Sequence, residues 1–152
     1  MPIYMTREFS ISQYIGSVIF APIPFRFFLF RTIFKMLTGS LPISSGDAFL
    51  NGYSISKNIE KVHENIGYCP QTDALFPLLT ANEHLIFYAR VRGIPEKYTQ
   101  RVCKWALSRV GLNAFADSIA SDYSGGNKRK LSTAIALVGN PSVVFLDEPT
   151  SG

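Results

Sequence analysis

Cysteine, histidine and charged side chains are scarce in this sequence of 152 residues. The two cysteines, Cys69 and Cys103, are too few for a disulfide framework, and neither they nor the two histidines, His63 and His84, show metal-ligand spacing. Charged residues make up 17% of the chain, against about 25% in an average domain, while 47% are hydrophobic. These features exclude a disulfide-rich scaffold and argue against a zinc enzyme or a wholly disordered chain.

Acidic residues are nearly absent from the first 46 positions, which hold one, Glu8, beside four basic residues. The same region contains an apolar stretch over residues 14–30, YIGSVIFAPIPFRFFLF. Its length is close to the roughly 18 residues that a membrane-spanning helix needs, but two prolines and an arginine interrupt it. We therefore expect residues 1–31 to be an unmatched hydrophobic segment rather than a spanning helix.

From about residue 47 onward, predicted strands and helices alternate. Short strands are predicted over residues 48–50, followed by an Asn51-Gly52 turn, over residues 66–69, and over residues 143–146. Apolar spacing predicts helices over residues 83–91, 96–109 and 128–138, the second ending at Gly111. This alternation favours an α/β fold with a parallel sheet.

The last ten residues, VVFLDEPTSG, combine an apolar strand with two adjacent carboxylates, Asp147 and Glu148. Ligand crevices open at the carboxyl ends of parallel strands. An Asp at such a position can hold Mg²⁺ against nucleotide phosphates, and a Glu after it can polarise an attacking water. The alternative is an ordinary acidic turn, which four apolar residues followed by DEPTSG make the weaker interpretation.

A second segment, YSGGNKRKLS over residues 123–132, places Ser124, Gly125 and Gly126 ahead of a helix. Glycines allow close backbone approach, and the amides of a helix N-terminus favour an anion. The basic residues 128–130 oppose the helix dipole, which a phosphate partner would offset. The alternatives are a capped, solvated basic helix or a nucleic-acid site, and the latter is disfavoured because no aromatic residues alternate with the charges.

A third segment, GYCPQ over residues 67–71, places Gln71 directly after a predicted strand, with Pro70 fixing the chain ahead of it. An uncharged amide there can contact both a metal-bound water and a neighbouring domain. A lone glutamine is usually a surface residue, so the interpretation depends on the two segments above.

Together these segments resemble the nucleotide-binding domains of ABC transporters. VVFLDEPT is similar to the Walker B strand, YSGGNKRKLS to the signature motif LSGGQ, and YCPQ to the Q-loop. FKMLTG, residues 34–39, followed by SSGDAFLNG resembles the region after Walker A in the A subfamily, whose members mostly move lipids. The resemblance covers residues 32–152 and is greatest to the second nucleotide-binding domain of these two-domain transporters.

The resemblance implies a P-loop NTPase-like ABC ATPase fold that uses ATP and Mg²⁺. It assigns Asp147 and Gln71 to Mg²⁺, Glu148 and Gln71 to catalysis, and Ser124, Gly125 and Gly126 to the γ-phosphate of the partner domain's nucleotide. The implied partners are a second, head-to-tail nucleotide-binding domain and the transmembrane domains, with lipid reached only through the intact transporter. The implied location is the cytosolic side of a polytopic membrane protein.

The resemblance fails where the phosphate-binding loop GxxGxGK[ST] is expected, because that place reads FRFFLFRT. Phe30 takes the position of the lysine and Arg31 that of the Mg²⁺-binding Ser or Thr. The sequence also stops after DEPTSG, ahead of the family's last strands. We therefore expect a domain truncated at both ends that does not hydrolyse ATP alone. The alternative is a non-enzymatic module that binds a partner nucleotide-binding domain or a transporter's coupling helices; a chain that does not fold stably is a third.

Overall fold

The computed structural model describes residues 17–20, 32, 35–39 and 41–146, with residues 17–20 described as backbone only. The strands are β1 (Ser17–Phe20), β2 (Phe49–Leu50), β3 (Tyr53–Ser54), β4 (Ile66–Cys69) and β5 (Val143–Leu146). The helices are α1 (Ile59–Asn65), α2 (Ala81–Val91), α3 (Glu96–Val110) and α4 (Gly125–Leu137), with 3₁₀ turns at Asn113–Phe115 and Ala120–Asp122.

The main sheet is parallel and has the order β1-β5-β4. The central strand β5 pairs with β1 on one side and with β4 on the other. Both neighbours end level with it, because Phe20 and Cys69 each lie opposite Leu146. The parallel sheet and the bounds of β4 and β5 agree with the sequence-based expectation, and the fold is the mixed helix-and-strand arrangement expected of an ABC ATPase domain.

A small antiparallel hairpin joins β2 to β3 through the predicted turn. Asn51 has φ of 49° and Gly52 has φ of 81°, so both turn residues are left-handed. This conformation matches the twist of a two-residue hairpin, and it favours the Asn-Gly pair found here. The short helix α1, which follows the hairpin, was not predicted.

Capping residues set the helix starts, and here two predicted boundaries were wrong. Helix α2 begins at residue 81 rather than 83, because Thr80 and Glu83 form a capping box: Thr80 Oγ1 accepts from the Glu83 N–H at 3.2 Å, and Glu83 Oε2 accepts from the Thr80 N–H at 2.8 Å. Helix α4 begins at residue 125 rather than 128, with Ser124 as its N-cap. Gly111, at φ of 71°, ends α3 as predicted.

Three buried apolar clusters position these elements. Helices α2, α3 and α4 enclose the largest, the helical layer, which includes Leu85, Cys103, Leu107, Leu112 and Leu131. The sheet contributes alternating residues to two smaller clusters. Phe145 packs with Leu50, Val62 and Ile66, while Val144 and Leu146 pack with Cys69 and Ala136 of α4. Helix α4 therefore packs into the helical layer with one face and against the sheet with another.

No helix in the described part of the chain is long and apolar enough to cross a membrane. The apolar stretch over residues 14–30 lies outside the described residues except where it supplies β1. The division at residue 31 stays a prediction.

Candidate functional site

The sheet brings the ends of two chemistry-bearing segments to one edge. Cys69, the last residue of β4, lies opposite Leu146, the last residue of β5. Gln71 follows β4 by two residues at this edge. Asp147 and Glu148 are the next residues after β5 in the sequence, but they lie outside the described residues, so their roles stay predictions.

Ser124 caps the start of α4 with both its side chain and its backbone. Its Oγ accepts from the N–H of Asn127 at 3.2 Å, and its carbonyl oxygen accepts from the N–H of Lys128 at 2.9 Å. The residue is nevertheless exposed, as are the two glycines that follow it. A helix start with exposed residues and no acidic residue in its first turn is a favourable place for an anion.

Nothing within the described chain accounts for Gly125 and Gly126. Both are helical, without the positive φ that favours glycine, and a Cβ added to either would meet no atom within 4 Å. Gly67 on β4 is different, because a Cβ there would lie 2.0 Å from the carbonyl oxygen of Ala136 on α4. Packing therefore explains Gly67, whereas glycine at 125 and 126 weakens the helix without a described benefit.

The segment that carries Gln71 is held against α4 by Arg129. The guanidinium donates to the carbonyl oxygen of Pro70 and, at 3.3 Å, to that of Gln71. Arg129 is only 5% exposed, which is unusual for a charged residue. The structure therefore brings Gln71 and the helix of the predicted signature motif into direct contact.

Sequence analysis missed three residues of this contact: Arg129, Ser132 and Asp73. The sequence pattern groups Arg129 with its two lysine neighbours in a basic first turn whose charge a phosphate partner would offset, with a solvated basic helix as the alternative. A signal was present in the pattern, because Arg129, Ser132 and the small Ala136 recur at spacings of three and four, on a second buried face of the helix roughly opposite Leu131 and Ala134. Polar residues on an inward face indicate a buried polar contact.

Among the ion pairs of the described residues, one lies at this contact, between Arg129 and Asp73. Arg129 Nη1 lies 3.6 Å from Asp73 Oδ1, and the aspartate side chain remains 24% exposed. No group of three or more His, Cys, Asp or Glu side chains comes together within the described ranges. Of the predicted Mg²⁺ ligands, Gln71 alone is described; its amide oxygen is a donor type that Mg²⁺ accepts.

A family model described as "ABC transporter" matches residues 31–151 of the chain. The chain is 57% identical over 121 residues to the human retinal-specific phospholipid-transporting ATPase ABCA4, covering 80% of this chain and 5% of that protein. It is 58% identical over 119 residues to human ATP-binding cassette sub-family A member 2, covering 78% of this chain and 5% of that protein. The chain thus spans only a small part of these relatives.

A similar structure is that of cbiO1 from Clostridium perfringens, part of the ABC transporter complex cbiONQ. Its TM-score is 0.72 at 31% sequence identity, and the match covers 80% of this chain and 50% of that one. The similarity in sequence and in fold therefore extends over four fifths of the chain. On this evidence the chain belongs to the ABC transporter family, in its A subfamily, through a region of the nucleotide-binding domain.

Proposed function

We propose that this chain forms the Q-loop and signature portion of an ATP-binding and ATP-hydrolysing domain that powers lipid transport. Family membership supports the ATP-binding part of the proposal. The relative ABCA4 is named as a phospholipid-transporting ATPase, which supports a lipid as the transported molecule. The domain would lie on the cytosolic side of a polytopic membrane protein.

The observation that carries the proposal is the open start of α4. Ser124, Gly125 and Gly126 are exposed, and neither glycine is needed by the backbone or by packing in the described chain. Small exposed residues at a helix N-terminus leave room for a phosphate to approach the backbone closely. We infer that this phosphate is the γ-phosphate of a nucleotide held by a second nucleotide-binding domain, arranged head to tail.

The remaining roles follow the sequence pattern. Gln71 and Asp147 would hold Mg²⁺ through their side-chain oxygens, and Glu148 would act as the general base toward the attacking water. Mg²⁺ bound with ATP offsets the negative charge of the phosphates. These oxygen donors are of the type that Mg²⁺ prefers.

The first part of the chain changes what this sequence can do alone. Phe30 and Arg31 occupy the places of the phosphate-loop lysine and hydroxyl residue, and the glycines of that loop are missing. We propose that the domain's own sequence spans residues 32–152 and that residues 1–31 are a segment unmatched to it, although β1 within that segment pairs with β5 of the sheet. On this proposal the chain completes a site in trans, on a partner that holds the nucleotide.

The test is capture by an intact A-subfamily nucleotide-binding domain whose Walker B glutamate is replaced by glutamine, so that bound ATP keeps the pair closed. We expect capture of the chain with ATP and Mg²⁺ and its loss without ATP. Ser124→Asp separates helix capping from phosphate binding, because aspartate is as good an N-cap as serine but repels a phosphate. It should therefore abolish capture while the chain stays folded.

The matched control is Ser108→Asp, which adds the same charge at an exposed serine of α3. It should leave capture unchanged. Capture that is equal with and without ATP, or that survives Ser124→Asp, would contradict the proposed trans site.

The second candidate function is a non-enzymatic module that binds a transporter's coupling helices. Exposed apolar side chains near α2 favour it: Phe76 is 48% exposed, Leu78 81% and Phe87 45%, and the rings of Phe76 and Phe87 meet edge to face at 5.9 Å between centroids. Such patches often mark protein contacts. Capture of membrane-domain loops that needs no nucleotide and is lost in Leu78→Asp, but not in Ser124→Asp, would favour this function.

A further inference from the structure

Arg129 is a buried cation whose hydrogen bonds go to another segment of the chain, 58 and 59 residues away. Its guanidinium donates to the carbonyl oxygens of Pro70 and Gln71. These are the residues that immediately follow β4, where no helix or strand supplies partners for the backbone. Both hydrogen bonds come from one nitrogen, Nη1, which carries two N–H groups.

A second tie lies one helical turn further along α4. Ser132 Oγ donates to Asp73 Oδ1 at 2.7 Å, and the same carboxylate oxygen lies 3.6 Å from Arg129 Nη1. Residues 70, 71 and 73 are therefore all attached to one face of α4. The attachment is polar throughout, which makes it directional.

This polar attachment is separate from the contacts that hold α4 in the fold. Leu131, Ala134 and Val138 are each fully buried in the helical layer, and Ala136 is buried against the sheet. These apolar contacts fix the helix whether or not the segment after β4 is attached. Arg129 and Ser132 thus determine the position of that segment rather than the position of the helix.

We propose that Arg129 is a positioning residue that ties Gln71 to α4, with support from Ser132 and Asp73, so that Gln71 and Ser124 move as one unit. Arg129 stands five residues after Ser124, which is about 7–8 Å along the helix axis. The inference rests on the proposed function in assigning Gln71 to Mg²⁺ and Ser124 to the nucleotide held by the partner domain, so that the tie links two nucleotide sites. A displacement of Gln71 would then move Ser124, and a displacement of Ser124 would move Gln71, because the Arg129 guanidinium connects the two segments.

The test measures distance distributions between nitroxide spin labels in the full chain without nucleotide. Labels at Thr72→Cys and Gln100→Cys, both at exposed positions, report the Gln71 segment relative to α3. Labels at Lys130→Cys and Gln100→Cys report α4 relative to α3, and serve as the internal reference. The native Cys69 and Cys103 are fully buried, so the reagent goes to the introduced sites.

We expect Arg129→Met to broaden the 72–100 distribution about twofold or more, because two carbonyls lose their donor, and to leave the 130–100 distribution unchanged. Arg129→Lys should restore part of the narrow distribution, since its ammonium keeps the charge and the N–H donors but lies on a shorter side chain. Ser132→Ala should broaden it less than Arg129→Met. The control Lys128→Met removes a neighbouring, partly exposed cation and should have no effect.

Equal broadening of both distributions in Arg129→Met would overturn the proposal, because it would mean that Arg129 supports the whole helical layer. An unchanged 72–100 distribution in both Arg129→Met and Arg129→Lys would overturn it as well. The measurement needs no nucleotide, so it is independent of the capture experiment. Narrow wild-type distances that broaden in Arg129→Met, together with absent capture, would remove the proposed function and leave the tie established.

Discussion

The backbone N–H of Phe76 donates a 2.9 Å hydrogen bond to Nε2 of His84, whose side chain is fully buried. The other ring nitrogen, Nδ1, lies 2.8 Å from the carbonyl oxygen of Thr80. A carbonyl oxygen only accepts, so the proton is on Nδ1 and Nε2 is the acceptor. His84 therefore joins the segment ahead of α2 to the first turn of that helix.

Replacing His84 with leucine should lower the free energy of unfolding by about 2 kcal/mol, because the Phe76 N–H loses its acceptor and the Thr80 carbonyl keeps only the backbone N–H of residue 84. The measurement is denaturant unfolding followed by circular dichroism. His63→Leu is the matched control. His63 is exposed, and its bond to the Thr38 carbonyl can be replaced by water, so that change should stay within about 0.5 kcal/mol. Equal losses in both variants would contradict the role assigned to His84.

Two glycine-to-alanine changes should have opposite effects on stability. Gly67→Ala places a methyl group against the carbonyl oxygen and carbon of Ala136. It should lower the free energy of unfolding by about 3 kcal/mol, because these are backbone atoms of a packed helix and cannot move aside easily. Gly126→Ala meets nothing and should stabilise α4 by up to about 1 kcal/mol. Denaturant midpoints of the two variants check both signs.

The same Gly126→Ala change should weaken ATP-dependent capture by the partner domain. Its added methyl group occupies space that the proposed phosphate approach needs, although the folded chain itself is not harmed. A variant that is more stable and yet captured less would separate the need for glycine in the site from any need in the fold. Undiminished capture would show that the open space at residue 126 is not used.

Acid should remove a local contribution to stability from the loop ahead of β2. Hydrogen bonding from Ser54 Oγ, at 2.6 Å, lowers the pKa of Asp47, with further bonds from the backbone of Ala48 and Ser56. A carboxyl with a lowered folded-state pKa stabilises the fold above its unfolded pKa, near 4, and loses that contribution as the pH falls through the folded value.

Asp47→Asn should therefore flatten the acid side of the stability profile, as measured by unfolding midpoints below about pH 5. Ser54→Ala removes the largest cause of the shift and should flatten it in the same direction. An acid limb as steep in both variants as in the parent chain would show that other carboxyl groups dominate it.

The purified chain should not release phosphate from ATP by itself. The reason lies in the sequence, where Phe30 and Arg31 replace the lysine and the hydroxyl residue of the phosphate loop. A phosphate-release assay with and without Mg²⁺ checks this. Mg²⁺-dependent release that disappears in Glu148→Gln would overturn the expectation, because that glutamate is the proposed general base.

The strands β4 and β5 and the end of α3 are predictable because their determinants are local. An apolar run stopped by Pro70 defines β4, and Gly111 supplies the left-handed residue that ends α3. The starts of α2 and α4 are less predictable because polar capping residues extend each helix beyond its apolar spacing. Thr80 and Ser124 both stand outside the hydrophobic pattern that sequence analysis uses.

The residues of the candidate site also differ in whether they can be predicted from the sequence. Ser124 and its glycines are recognisable from sequence because their chemistry is contained in one short segment. The role of Arg129 is not, because its acceptors are carbonyl oxygens 58 and 59 residues away, and every residue has such an oxygen. Only the fold shows which carbonyls meet the guanidinium.

The two buried thiols allow the opening of two regions to be measured in the native chain: the helical layer and the cluster between the sheet and α4. Cys69 lies between the sheet and α4, Cys103 lies in the helical layer, and both are fully buried. Burial also raises the pKa of the Cys103 thiol, so little thiolate is present there near neutral pH. A thiol-modifying reagent therefore reacts with each cysteine only when its own region opens. The two reaction rates, measured in one sample by mass spectrometry, show which of the two regions opens more readily.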